Sequence, residues 1–119
     1  MPHPPRFEQL TADAKTRIQE ISATEAYQHQ QQGVLLIDTR EAEEFAAEHA
    51  VGALHLSKGV IELKIEPTVP DTSTHVICYC GGGYRSALVV DNLQKMGYTN
   101  VLSLAGGFKA WKAAGLPTE

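Results

Sequence analysis

The sequence predicts an α/β fold, with a central and mainly parallel sheet that carries helices on both faces. Three short apolar runs, at residues 34–37, 75–79 and 101–104, lack the polar alternation of half-exposed strands. Such continuous runs are typical of parallel strands that are buried on both faces. Segments with helical spacing lie between these runs, and this alternation favours parallel strands joined by helical crossovers. A chain of 119 residues fits one domain of this kind.

The start of the chain is predicted to be an N-terminal extension, residues 1–20, ahead of a main domain at residues 21–119. Apolar residues recur at near-helical spacing over residues 7–21, which predicts an amphipathic helix that packs on the main body. Ser22 and Glu25 then form a capping box, and we expect a second helix to start there.

The other predicted elements lie between the three buried strands and after the last one. Between the first two strands we expect a helix, a short strand and a further helix that is ended by two prolines, Pro67 and Pro70. Three glycines break the second strand, and the segment after them has the apolar face of a helix. A last short helix carries Trp111. The four predicted segments after the first strand are residues 41–49, 52–56, 59–65 and 86–96.

Charge and cysteine content exclude several classes of protein. With 14 acidic and 10 basic residues the formal net charge is −4, which gives no basic surface for nucleic acid or an acidic membrane. No apolar segment has the length of a signal peptide or a membrane span. Cys78 and Cys80 are too close in the chain for an unstrained disulfide, which indicates free thiols and a reducing compartment. We therefore expect a cytoplasmic protein with no nucleic-acid and no membrane partner.

The most informative segment joins the second buried strand to the helix at residues 86–96. Its three glycines can turn their N–H groups inward, and the helix that follows adds its unpaired N-terminal amides and the positive end of its dipole. Cys80 is the side chain at the base of this anion cradle, which should favour the nucleophilic thiolate. The segment consists of Cys80, Gly81, Gly82, Gly83, Tyr84, Arg85 and Ser86.

This segment resembles the active-site loop of the rhodanese family, and the resemblance extends over roughly residues 21–117. Further motifs in the same order support it, and each is weak alone. They are Asp38-Thr39-Arg40-Glu41, Glu44-Phe45, His49 with Gly52-Ala53, Gly97-Tyr98, and Gly106-Gly107-Phe108-Lys109-Ala110-Trp111. The resemblance implies a rhodanese-like fold, with residues 21–119 as a rhodanese domain.

The resemblance also implies a thiosulfate sulfurtransferase without cofactor or metal. Cys80 would take sulfur from a small anionic donor such as thiosulfate and pass it from a persulfide to cyanide, a thiol or a protein acceptor. Residues 81–86 would bind the negative outer sulfur. Whether Arg85 binds substrate or braces the loop stays open. Asp38, Arg40 and Lys58 are candidates for the pocket rim, although a carboxylate at the position of Asp38 more often pairs with an arginine.

Two other classes of function use the same residues. A phosphatase or arsenate reductase could use the same thiolate, but only four residues separate Cys80 from Arg85, which is tight for a phosphoryl group. A binding module or a persulfide carrier without turnover is the second alternative.

Neighbouring residues have simpler interpretations. Cys78 is expected in the core, with a resolving thiol as the less favoured hypothesis. A zinc site of His75, Cys78 and Cys80 is rejected, because three ligands crowded on one strand lack the geometry and a fourth ligand.

Overall fold

The computed structural model describes residues 3–119, and five parallel strands form one sheet in the order β1-β5-β4-β2-β3. The strands are β1 (Glu20–Ile21), β2 (Leu35–Asp38), β3 (Leu54–His55), β4 (Val76–Tyr79) and β5 (Val101–Leu104). The predicted α/β fold with a parallel sheet is confirmed. Since β4 lies at the centre of the sheet, the residues that follow it are surrounded by the connections of both neighbouring strands.

In the described part of the chain, six helices connect or flank the strands. They are α1 (Pro5–Lys15), α2 (Ala23–Gln31), α3 (Ala42–Ala47), α4 (Ile61–Thr68), α5 (Tyr84–Lys95) and α6 (Gly107–Ala113). The predicted cap of α2 is confirmed, because the Ser22 hydroxyl accepts a hydrogen bond from the Glu25 amide at 3.2 Å. Among residues 3–119, no helix combines the length and the apolar character that crossing a membrane requires.

The sheet separates two apolar cores, and successive residues of β4 alternate between them. Val76 and Cys78 pack with residues of α4 and α5 in one core. Ile77 and Tyr79 pack with residues of α2 and α6 in the other. Helices therefore cover both faces of the sheet, which explains why the strand carries a continuous apolar run rather than a polar alternation.

The helix predicted over residues 7–21 is wrong at its carboxyl end. α1 ends at Lys15, and Glu20 and Ile21 form the edge strand β1. The reason is a tertiary contact, since Ser103 and Ala105 of the β5 segment donate backbone hydrogen bonds to Gln19 and Ile21. The predicted extension also included residues 1 and 2, which lie outside the described part of the chain.

The predicted end of the helix at residues 59–65 is also displaced. α4 continues to Thr68 and includes Pro67 in its last turn. A proline there removes the hydrogen bond to the carbonyl of Leu63. Leu63 is 79% exposed, so water can replace that bond at the surface.

Candidate active site

The segment after β4 forms a tight loop at the carboxyl edge of the sheet. Cys80 follows the last residue of the strand, and α5 begins four residues later at Tyr84. Gly83 has φ +95°, a left-handed conformation that L side chains rarely adopt. In this conformation the Gly83 N–H donates to the Cys80 Sγ over 3.1 Å. The loop thus aims one backbone donor, together with the positive end of α5, at the sulfur.

Two buried hydroxyl groups continue the hydrogen-bond chain behind the sulfur. The Cys80 thiol donates to the Ser86 Oγ at 3.6 Å, and the Ser86 and Ser103 hydroxyl oxygens lie 2.8 Å apart. Ser86 and Ser103 are both fully buried. Ser103 was missed by sequence analysis, because its role depends on the pairing of β5 with β4, where it lies opposite Cys78.

Arg85 is held by the Glu44 carboxylate, which belongs to helix α3. Its Nη1 and Nη2 donate to the two carboxylate oxygens of Glu44 at 2.9 and 3.3 Å. These hydrogen bonds raise the pKa of Arg85 and lower the pKa of Glu44. Arg85 Nη2 also lies 3.2 Å from the position that a Cβ on Gly81 would occupy, so the guanidinium covers the loop.

The start of α6 supports the loop from the other side. The Phe108 and Lys109 amides donate to the carbonyls of Cys80 and Gly81 at 2.7 and 3.2 Å. Gly107, with φ +57°, lies so close that a Cβ there would be 2.8 Å from the Gly82 nitrogen and would overlap the Cys80 carbonyl oxygen. The motif Gly106-Gly107 is visible in the sequence, but the surface on which Gly107 packs is not.

The loop borders a cavity of about 280 Å³. Cys80 is only 1% exposed, yet it contributes to the lining of the cavity. The residue therefore lies at the base of the cavity, where the other lining residues shield it from solvent. The lining residues are His3, Phe7, Cys80, Gly82, Tyr84 and Arg85. Four of these belong to the segment singled out from the sequence, whereas His3 and Phe7 were not identified as candidates.

The three residues predicted at the pocket rim lie elsewhere. Asp38 is fully buried and accepts hydrogen bonds from Arg40 at 2.8 to 3.2 Å and from the Tyr79 hydroxyl at 2.6 Å. Because Asp38 neutralises the buried Arg40, neither side chain is available at a rim. Lys58 borders a separate cavity between α1 and α5, together with Arg17 and other side chains. None of the three lines the cavity beside Cys80, and their role at its rim stays a prediction.

Cys78 differs from Cys80 in its surroundings. It is fully buried in the core shared with α4 and α5, and burial raises the pKa of its thiol to about 12. A thiol in this environment is protonated at neutral pH and does not act as a nucleophile.

Within residues 3–119, no cluster of three or more His, Cys, Asp or Glu side chains could hold a metal ion. The polar groups on and behind the cavity wall are the Cys80 thiol, the Ser86 and Ser103 hydroxyl groups, the Gly83 amide and the Arg85 guanidinium.

This fold, with a cysteine loop that opens a helix at the carboxyl edge of a parallel sheet, defines a cysteine-centred α/β domain. The family model described as Rhodanese-like domain matches residues 22–114. The chain belongs to this family.

Curated relatives agree with this assignment. The thiosulfate sulfurtransferase GlpE of Haemophilus influenzae (strain ATCC 51907 / DSM 11121 / KW20 / Rd) is 37% identical over 100 residues, covering 84% of this chain and 93% of the relative. The protein of the same name from Pseudomonas putida (strain GB-1) is 37% identical over 83 residues, covering 70% and 74%. These relatives support sulfurtransferase activity as the general class.

Solved structures share the fold over the whole chain. A protein of unknown function from Rhodopseudomonas palustris CGA009, described as a possible tyrosine phosphatase, has a TM-score of 0.87 at 27% identity, covering 100% of this chain and 99% of that one. The polysulfide-sulfur transferase homodimer of Wolinella succinogenes has a TM-score of 0.82 at 25% identity, covering 96% and 87%.

Proposed function

We propose that the chain is a thiosulfate sulfurtransferase that carries the transferred sulfur as a persulfide on Cys80. The observation that carries this proposal is the Gly83 N–H, which donates to the Cys80 Sγ in a loop that borders a cavity. A backbone N–H at the start of a helix can stabilise negative charge on a sulfur, which fits a persulfide intermediate at this position.

The two buried hydroxyl groups fit either charge state of Cys80. In the thiol state Cys80 donates to Ser86. In the thiolate state the Ser86 hydroxyl can turn and donate to the sulfur, while the Ser103 hydroxyl donates to Ser86. Every buried hydroxyl then has a partner, so the negative charge forms without leaving an unpaired polar group.

The reaction consists of two half-reactions. In the first, the sulfur of Cys80 is the nucleophile. The Cys80 thiolate attacks the outer sulfur of thiosulfate, the S–S bond of thiosulfate breaks, and its electron pair leaves with sulfite. The acceptor, cyanide or a thiol, then attacks the outer sulfur of the persulfide and restores the Cys80 thiolate. Residues 81–86 and the α5 dipole would stabilise the negative outer sulfur between the two steps.

Arg85 is proposed to brace the loop. Its contacts with Glu44 fix the guanidinium over the loop, and it also lines the cavity. Since Glu44 pairs with Arg85 and Asp38 pairs with Arg40, the start of α5 is the positive feature that we assign to the anionic donor.

Thiocyanate formation from thiosulfate and cyanide tests the proposal. The unmodified protein should form thiocyanate with ping-pong kinetics, and Cys80→Ser should form none while keeping its circular dichroism spectrum. Thiocyanate formation by a folded Cys80→Ser protein would place the nucleophile elsewhere. Sulfur loading without turnover would instead indicate a persulfide carrier.

A phosphatase is the second candidate, because the structural neighbour from Rhodopseudomonas palustris covers the whole chain and Arg85 lines the same cavity as Cys80. The contacts of Arg85 with Glu44 oppose this function, since both of its terminal nitrogens already donate to a carboxylate. Phosphate release from an aryl phosphate, in the absence of thiocyanate formation, would favour the phosphatase.

A further inference from the structure

Part of the cavity wall comes from a segment of the chain outside the residues that match the family. His3 and Phe7 lie before residue 22, where the family match begins. Their rings and the Tyr84 ring form one cluster, with centroid distances of 4.1 Å from His3 to Tyr84, 5.3 Å from His3 to Phe7 and 6.2 Å from Phe7 to Tyr84. We call these three residues the aromatic wall.

The aromatic wall is held in place by α1, which packs on α5. Thr11 and Ala14 of α1 are each 1% exposed. Beyond the end of the helix, the Arg17 Nε and Nη2 donate to the Asp91 carboxylate at 3.0 and 2.8 Å. Asp91 lies on α5, which begins at the cysteine loop. α1 and the loop are therefore both anchored to α5.

His3, the first residue that the structure describes, is fixed as well. The His3 N–H donates to the Glu8 carboxylate at 3.1 Å, which places the His3 backbone against the first turn of α1. The ring of Tyr84 also lies 4.9 Å from the Lys15 ammonium nitrogen. A preorganised aromatic surface of this kind can bind a flat ligand with little loss of conformational freedom.

The size of the cavity exceeds what the small substrates need. At about 280 Å³ it approaches the range of roughly 300–1,000 Å³ that is typical of sites for organic ligands. Cyanide has two atoms and thiosulfate has five, so neither fills a cavity of this size. The cavity therefore has room for a substrate with an apolar body beside its reacting atom.

We propose, on the basis of the proposed sulfurtransferase function, that the aromatic wall binds the flat body of a small aryl thiol and presents its sulfur to the Cys80 persulfide. His3 and Phe7 are then residues that determine acceptor specificity. The aryl thiolate attacks the outer sulfur, a new S–S bond forms, and the bond to Cys80 breaks. Its electron pair returns to the Cys80 sulfur, and the negative outer sulfur takes up the proton that the aryl thiol released and leaves as part of an aryl hydropersulfide.

A single-turnover experiment on the full chain tests this inference. The protein is loaded with thiosulfate, freed of excess donor and mixed with benzenethiol or ethanethiol, and the loss of the added sulfur is followed by mass spectrometry. In the variant with His3→Ala and Phe7→Ala, the ratio of the benzenethiol rate to the ethanethiol rate should fall about tenfold. The ratio should fall because the variant binds benzenethiol more weakly and needs a higher benzenethiol concentration for saturation. The aromatic wall contacts the ring of the thiol rather than its sulfur.

Leu10→Ala is the matched control, since Leu10 is an exposed apolar residue of the same helix that borders the other cavity. It should leave the ratio of the two rates unchanged. If the double variant fails to fold, His3→Ala alone tests the inference, because His3 is exposed and its ring contacts Tyr84 most closely.

The outcomes separate this inference from the function on which it rests. An unchanged ratio in folded, normally loaded variants would overturn the role of the aromatic wall and leave the sulfurtransferase intact. Failure of the unmodified protein to load sulfur at Cys80 would overturn both.

Discussion

At the scale of single residues, Gly107 shows how closely the loop is supported. A Cβ at this position would overlap the Cys80 carbonyl oxygen and lie 2.8 Å from the Gly82 nitrogen, so a side chain would displace the loop. The cysteine sulfur is fixed by the same loop through the Gly83 N–H. The position of the nucleophile therefore depends on a residue that carries no chemistry of its own.

Gly107→Ala is expected to reduce sulfur transfer by at least about tenfold and to lower the free energy of unfolding by about 1–3 kcal/mol. The new Cβ would push the loop away, and φ +57° is strained for alanine. Thiocyanate kinetics and urea denaturation measure the two effects. Gly115→Ala is the control, because Gly115 has φ +72° but nothing within 4 Å of the added Cβ. Equal activity of the two variants would contradict the proposed support.

Cys78→Ala separates the two cysteines. Because burial raises the pKa of Cys78 to about 12, the substitution should leave most of the transfer activity. Loss of the buried sulfur atom should cost about 1–2 kcal/mol in the free energy of unfolding. Complete inactivation of a folded variant would instead show that Cys78 resolves the persulfide.

At the scale of elements, the site joins the ends of several connections of the sheet. α3 follows β2 and brings Glu44 to Arg85, while α6 follows β5 and brings Gly107 to the loop. The sequence identified the segment that follows β4, because three glycines between a buried strand and a helix are a local signal. The partners of that segment depend on strand order, which local patterns do not specify.

Strand β1 and the rim residues illustrate the same limit. Two residues carry too little pattern to predict a strand, and Glu20–Ile21 is extended because β5 offers it backbone partners. The sequence places Asp38 and Arg40 at the carboxyl end of a predicted strand, which is a plausible position for a pocket. They pair with each other instead, because two buried opposite charges are stable only together.

Glu44→Gln tests the connection between α3 and the loop. Without the carboxylate charge Arg85 is held less firmly, and kcat/KM for thiosulfate should fall about fivefold near neutral pH, a modest effect because both side chains are partly exposed. Glu43→Gln removes the same charge from an exposed position of the same helix and should have no such effect.

The pH dependence of this difference follows from the lowered pKa of Glu44. The pair contributes fully above the ordinary glutamate range and is lost only as the pH falls through the lowered pKa of the folded protein. The difference between the unmodified protein and Glu44→Gln should therefore persist through mildly acidic pH and vanish below it. A difference that disappears above the ordinary glutamate range would contradict this assignment.

At the scale of the whole molecule, two cores and one buried ion pair hold the carboxyl edge of the sheet together. Arg40 contacts Asp38 on β2 and donates to the Glu48 carbonyl at 2.6 Å, while Tyr79 on β4 donates to the same carboxylate. This network joins two central strands next to the point where the cysteine loop begins. We infer that this network contributes to the stability of the fold rather than to substrate binding.

Asp38→Ala should lower the free energy of unfolding by about 3–5 kcal/mol, because it leaves the buried Arg40 charge without a partner. Lys112→Ala, which breaks the exposed ion pair with Glu48, should cost less than about 1 kcal/mol. Urea denaturation compares the two variants. Similar losses for both would show that the buried pair contributes no more than a surface pair.

The central claim is that the sulfur in transit is bonded to Cys80. Its most direct test is mass spectrometry of the intact protein and of its peptides after exposure to thiosulfate. We expect one added sulfur on the peptide that contains residues 76–85, retained in Cys78→Ala, absent in Cys80→Ser, and removed by cyanide. No added sulfur, or a sulfur that remains in the Cys80→Ser protein, would contradict the account.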